Sequence, residues 1–196
     1  MKKTNFKVRI ELTEKMLGTA PDPEIYGKYI ATLAPEGTNT KDEIETLAEV
    51  EERGTTRFHT EAEKGLFIYN YMIIGFLKEA GNSLKDALGI KAVKNKVEQF
   101  VFCNPRKIYL GKSKPDGVLE RPKRVNGPMG PQSTLGRSEY VSEGVQIEFN
   151  LTVIENKEIK PDVILDILSY GELKGLGQWR NGGYGAFKVL EFEEAQ

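Results

Sequence analysis

The chain opens on strict alternation: Phe6, Val8, Ile10 and Leu12 are apolar, and the intervening Lys7, Arg9 and Glu11 are charged. A period of two sends the two sets to opposite faces of an extended strand, so the segment predicts a strand with one buried and one wet face. The pattern recurs more cleanly where Val145, Ile147, Phe149, Leu151 and Val153 alternate with Gln146, Glu148, Asn150 and Thr152. Apolar stretches at 100–102 and 186–192 predict two further strands, with 107–110 extending the first of them beyond the Pro105 break. Two segments switch to the helical period. Over 67–88, Tyr71, Ile74, Leu77, Leu84 and Leu88 recur at three- and four-residue steps, and Gly75 and Gly81 within them predict close packing against a neighbour. Pro161 opens a second helix, whose buried stripe is Val163, Ile164, Ile167 and Leu168 and whose end is marked by Gly171.

Two stretches fit neither period. Residues 18–65 are broken by Pro21, Pro23, Pro35 and Gly37, with one acidic, poorly amphipathic helix expected at 41–53. They hold too few apolar residues for a core of their own and read as an insertion. Residues 111–144 are dominated by glycine, proline and basic side chains. So long a connection without apolar periodicity is uncommon in a compact domain and usually serves a function. Stripped of both, the order is βαββαβ, which predicts an α+β, ferredoxin-like (RRM-like) core: two helices on one face of a four-stranded antiparallel sheet. The acidic insertion follows the first strand, and a long basic loop joins the second and third. At 196 residues this makes one domain spanning 1–196. Such a fold hosts many functions and selects none.

Net charge narrows the field little, because 28 Lys and Arg nearly balance 29 Asp and Glu. The distribution says more. Between 36 and 63 nine acids meet Lys41, Arg53 and Arg57 alone, whereas between 106 and 137 Arg106, Lys107, Lys112, Lys114, Arg121, Lys123, Arg124 and Arg137 face Asp116 and Glu120. Charge sorted this way attracts a polyanion to one surface and repels it from another. One cysteine, Cys103, builds no disulfide framework and no metal cage, and no carboxylate pair has ligand spacing on a helix face, so no metal and no cofactor is expected. No apolar run approaches the roughly 20 residues that span a bilayer. The expected location is the cytoplasm, without a membrane partner.

The densest candidate chemistry lies at 175–185, between the second helix and the last strand. Glycines at 175, 177, 182, 183 and 185 alternate with Gln178, Trp179, Arg180, Asn181 and Tyr184. Glycine lets backbone approach a bulky ligand, and successive N–H groups in such a loop can cradle a phosphate. Arg180 supplies a phosphate fork, and Trp179 and Tyr184 supply faces for a stacked base. A Walker loop is excluded by the absence of Gly-Lys-Ser/Thr. A dinucleotide fingerprint is excluded by the order, since the loop follows a helix and precedes a strand.

Gly175-Leu176-Gly177 and Gly183-Tyr184-Gly185-Ala186-Phe187 resemble the Gly-hydrophobic-Gly signature of the repeat-associated mysterious protein (RAMP) superfamily of CRISPR RNA-binding subunits. Gly75-Phe76-Leu77-Lys78 matches a glycine-then-basic feature of the first helix, and 111–144 sits where backbone subunits of that superfamily insert a thumb-like hairpin. In detail the chain is also similar to proteins encoded by phages and prophages of Gram-positive bacteria. The resemblance covers the core elements and leaves much of 18–65 outside it. It implies a non-catalytic binder of single-stranded RNA or DNA that multimerises along the strand, with phage or CRISPR-type subunits as further partners. The nucleic-acid contacts expected are Arg106, Lys107, Lys112, Arg121, Lys123, Arg124 and Arg137 on the basic loop, and Gly177, Gln178, Trp179, Arg180, Asn181 and Tyr184 on the glycine-rich one. Bases are expected over the open sheet face and that loop.

Two alternatives stand beside this. His59, the one histidine, is the candidate base of a metal-independent endoribonuclease, although it lies in the acidic insertion, away from the glycine-rich loop. A phage inhibitor that mimics or caps a host RNA-guided complex would use the acidic insertion as a nucleic-acid surrogate.

Overall fold

The structure is a computed structural model that describes residues 2–21, 55–127 and 130–195, with the side chains of 123–127, 131, 132 and 134 also outside the description. The acidic helix expected at 41–53 lies outside the described residues.

The central sheet is built from β1 (Lys2–Leu12), β6 (Val101–Asn104), β10 (Gln146–Glu155) and β11 (Phe187–Glu194), in the order β11-β1-β10-β6 and antiparallel throughout. β1 is central because its alternation lets it pair on both edges: Lys2↔Glu155 through Glu11↔Gln146 on one side, and Phe6↔Glu194 through Leu12↔Phe187 on the other. The apolar set of β1 and β10 is buried to the last residue, with Val8, Ile10, Ile147, Leu151 and Val153 all at 0% exposure. Against that face pack α1 (Asn70–Ser83), α3 (Val93–Phe100) and α4 (Pro161–Ser169), with the short α2 (Lys85–Leu88) ending at the left-handed Gly89. α4 buries Ile164, Ile167 and Leu168 as its stripe predicts. Gly81 is the close approach of α1, since a Cβ there would lie 2.7 Å from Val93 Cγ1 and 3.3 Å from Ile167 Cδ1. Gly75 faces open space, contrary to the expectation for it.

Several expectations are corrected. The helix begins at Asn70, because Gly65–Tyr69 is a strand (β5) between β4 (His59–Glu61) and β7 (Lys107–Tyr109). Leu66 and Ile68 face the core from β5, and the apolar run across the junction concealed the change of period. The buried face of α1 is Ile73, Phe76, Leu77, Ala80 and Gly81, which leaves Tyr71 61% exposed. Residues 107–109 do not extend β6 but enter this separate three-stranded sheet. α3 escaped the sequence reading because only Val93 and Val97 mark its inner face.

The largest correction concerns 111–144, which is no loop. β8 (Gly117–Gly127) and β9 (Gly130–Val141) pair without interruption from Gly117↔Tyr140 to Gly127↔Gly130. Val118 and Leu135 lie exposed on it, so the ribbon has no single buried face to write apolar alternation into the sequence. The base of β9 is clamped by β2 (Met16–Leu17) and by β3 (Thr55–Thr56), the latter running parallel to Arg137 and Ser138. Residues 55–61 therefore belong to sheets, although 18–65 was expected to join none. Among the described residues no helix is long and apolar enough to cross a membrane.

Candidate nucleic-acid interface

The glycine-rich loop is closed by its own two halves. A Cβ at Gly175 would lie 1.9 Å from the Gly185 carbonyl carbon, and one at Gly185 (φ +73) would lie 1.9 Å from the Leu176 oxygen. Only glycine permits that contact, and the Leu176 N–H donates to Gly185 O across it at 2.9 Å. The Gly185 N–H in turn donates to Lys15 O at 2.8 Å, which ties the loop to the end of β1.

This closure engages four of the loop's N–H groups. The N–H groups of Leu176 and Gly185 are used as described, and those of Gly182 and Gly183 donate to Trp179 O and Arg180 O. These four are therefore taken up by the loop's own closure and its tie to Lys15.

The side chain set against the loop is Arg121. It reaches from β8 to the loop and is 7% exposed. Its guanidinium carbon lies 4.0 Å from the centroid of the Trp179 ring and 5.9 Å from that of Tyr184. Nη2 donates to Gln178 Oε1 at 3.2 Å, and the same oxygen accepts from Ser138 Oγ at 3.3 Å. The single Thr56 hydroxyl proton goes to Ser138 Oγ at 2.7 Å, with Gln178 Oε1 3.3 Å from the same hydroxyl. The remaining guanidinium nitrogens, Nε and Nη1, are buried without a hydrogen-bond partner among the described residues. Burial pushes the pKa of this arginine below its ordinary value, yet guanidinium remains a cation at any physiological pH. A buried cation with two idle donors and an aromatic lid is poised for an anion.

Trp179 is the lid. It holds φ +56, a left-handed conformation that costs a non-glycine residue roughly 1–3 kcal/mol, and its ring is 41% exposed. Next to it a cleft of about 420 Å³ is lined by Glu79, Gly177, Trp179, Arg180, Asn181 and Gly182. Glu79, from α1, accepts from Lys174 at 2.5 Å and Arg180 at 2.6 Å. The hydrogen bond from Lys174, assisted by both charges, holds the Glu79 carboxyl below the ordinary carboxylate range. Arg180 is thus paired with a carboxylate, which a phosphate would have to displace.

The same holds on β7, in the segment before β8 and on β9. Lys107 pairs with Glu61 at 2.7 Å, Lys112 with Asp116 at 2.6 Å, and Arg137 with Glu120 at 2.7 Å. Arg106 is exposed beside the Tyr69 ring, 5.9 Å from its centroid. The side chains of Lys123 and Arg124 lie outside the described residues, although their backbone pairs with Thr134 and Ser133 in the ribbon. Of the cations expected to act together, the structure brings Arg121 to the glycine-rich loop, and spreads Arg106, Lys107, Lys112 and Arg137 along its flank. Exposed ion pairs contribute little and are screened by salt, so a phosphate can replace the carboxylate in each.

The open face of the central sheet is less suited to bases than expected. Lys7 and Arg9 pair with Glu191 at 3.5 and 2.8 Å, Lys188 pairs with Glu11 at 2.8 Å, and of the aromatic side chains Phe102 is exposed at 44%. His59 sits between the rings of Phe67 (5.4 Å) and Tyr69 (4.8 Å), where burial lowers its pKa. The nearby carboxylate, Glu61, already accepts from Lys107 and from Tyr109 Oη at 2.6 Å. Among the described residues no three His, Cys, Asp or Glu side chains converge as metal ligands would.

Sequence reasoning missed Thr56, Ser138 and Glu79. A hydroxyl inside a polar ribbon and a glutamate on a helix carry no local signal of a site that forms only when three distant segments meet.

No protein-family model matches the chain, and no curated protein matches it in sequence. Among solved structures, the fold is similar to that of a chain of the type III-B Cmr-β complex bound to cognate target RNA, with a TM-score of 0.51 at 12% identity. The likeness covers all of this chain and 61% of that one, so the chain spans less than two thirds of its neighbour's length.

Proposed function

We propose that this chain is a non-catalytic binder of single-stranded RNA, a single RAMP-like domain that works within a multi-subunit assembly. The observation that carries the reading is Arg121: a buried guanidinium with two unpaired donors, lidded by Trp179 and neighboured by Tyr184. A phosphate satisfies those donors by charge-assisted hydrogen bonds, and the partly exposed indole offers a face to the adjoining base. The strand order β11-β1-β10-β6 with helices on one face supports a ferredoxin-like core. The paired strands at 117–141 support a thumb-like hairpin, and the RNA-bound neighbour supports RNA as the ligand and CRISPR-type subunits as partners. A single-stranded DNA ligand and a phage origin are weaker forms of the same proposal. The nuclease alternative lacks a partner for His59 in Glu61, which is engaged by Lys107 and the Tyr109 hydroxyl.

Trp179 is the one tryptophan, so the site carries its own reporter. Titrating the protein with single-stranded oligouridylate should quench tryptophan fluorescence, duplex RNA of equal length should compete poorly, and Trp179→Ala should weaken binding about tenfold. An unchanged Trp179 signal together with wild-type affinity in Trp179→Ala would overturn the reading.

A further inference from the structure

We propose that the outward face of the β4–β5–β7 sheet is a second base-stacking platform for the same nucleic-acid strand, an inference that rests on the function proposed above. In an antiparallel sheet with one buried face, the other face is ordinarily polar. Here it is aromatic, with Phe67 buried at 5% exposure among the half-buried His59, Tyr69 and Tyr109. His59, Phe67 and Tyr109 lie directly opposite one another across the three strands, and one step along the sheet Tyr69 stands opposite Lys107. The rings touch in sequence: His59 on Phe67, Phe67 on Tyr69 at 5.3 Å, and Tyr69 stacked on Tyr71 at 5.5 Å with 19° between planes. Tyr71 ends the row on the first turn of α1, 61% exposed, where an incoming base can continue the stack.

Charge chooses the occupant. Lys107 Nζ lies 5.0 Å from the Phe67 centroid, Lys64 Nζ 5.5 Å from that of Tyr109, and Arg106 flanks Tyr69. The carboxylate that touches this set, Glu61, is bound by Lys107 and the Tyr109 hydroxyl. Lys107 and Lys64 lie over the Phe67 and Tyr109 rings, so the face open to a base is at the Tyr71 end of the row. Cations set among aromatic rings match bases joined by phosphates, whereas a contact between protein surfaces favours an apolar centre depleted of lysine. The platform also adjoins the first site along the chain. Thr56, bonded to Gln178, precedes His59 by three residues, which span at most about 11 Å of backbone. A strand leaving Trp179 reaches the platform within a few nucleotides.

The test uses the whole chain and fluorescein-labelled oligouridylates of about 4 and about 12 nucleotides, bracketing the site sizes of single-strand binders. The expected result for Tyr71→Ala combined with His59→Ala is a loss of about tenfold in affinity for the longer oligomer. Affinity for the shorter oligomer and Trp179 quenching stay as in wild type, and Tyr71→Phe keeps full affinity. Arg106→Gln, remote from the core, should lower affinity for the longer oligomer alone and serves if the double variant does not fold. Unchanged affinity for the longer oligomer in these variants, with Trp179 still quenched, overturns the platform and leaves the proposed function standing. No binding and no quenching by wild type at either length defeats both. Loss of self-association in the variants at unchanged oligonucleotide affinity, seen by sedimentation, also overturns it by making the face a protein contact.

Discussion

Arg121→Met separates a binding arginine from a structural one. The substitution removes a guanidinium whose Nε and Nη1 are buried without partners, each a liability of about 1–3 kcal/mol. It also removes the charge-assisted bond to Gln178, about 1.5–3 kcal/mol, and the desolvated contact with the Trp179 ring, about 2 kcal/mol. Gln178 keeps the Ser138 hydroxyl as a donor, backed by Thr56, and the methionine sulfur regains part of the aromatic contact. Gains and losses nearly cancel, so unfolding free energy should move by no more than about 2 kcal/mol in either direction. Breaking a buried, fully partnered ion pair would instead cost about 3–5 kcal/mol. Binding has no such compensation: losing the charged donors should weaken affinity for single-stranded RNA by about ten- to a hundredfold. Urea unfolding followed by far-UV circular dichroism gives the first quantity, and fluorescence anisotropy with labelled oligouridylate gives the second. Destabilisation well beyond 3 kcal/mol, or undiminished affinity in a folded variant, would refute the reasoning.

The glycines of the loop should differ sharply. Gly185→Ala drives a methyl into the Leu176 carbonyl and should cost several kcal/mol, whereas Gly183→Ala meets open space at φ +85 and should cost about 1–2 kcal/mol, both read from thermal unfolding. Glu79 gives a pH signature. Its carboxyl is held below the ordinary value of 4.5, chiefly by Lys174, so its contribution is present above that value and lost as pH falls through the folded one. Trp179 fluorescence should report an acid transition that Glu79→Gln abolishes. At neutral pH the same substitution frees Arg180, which should tighten binding and steepen the dependence of log affinity on log salt by about 0.7. Cys103 is 5% exposed, and burial pushes its thiol up to about 12, so Ellman's reagent should leave it untouched until denaturant is added.

Alternation and helical period carried the central sheet and two of its helices, because each is a local rule that one buried face imposes on consecutive residues. The alternating residues of β1 and β10 are buried as their pattern demands, and Pro161 starts α4. The glycine-rich loop was visible as composition, since close backbone approach is a demand that only glycine meets. What its glycines do was not visible. They bind the loop to itself, and the cation set against it is an arginine more than fifty residues earlier in the chain. That arginine was one basic residue among eight, and only the register of β8 on β9, with β3 parallel beside it, carries it to Gln178 and Trp179. The hairpin was illegible for a related reason: the alternation code needs one face in a core, and this ribbon lacks it. Local pattern determined the strands of the central sheet and two of the helices packed on it. Tertiary structure alone decided which cations are cancelled by a neighbouring acid and which one is buried with donors to spare, because that depends on contacts between segments far apart in sequence.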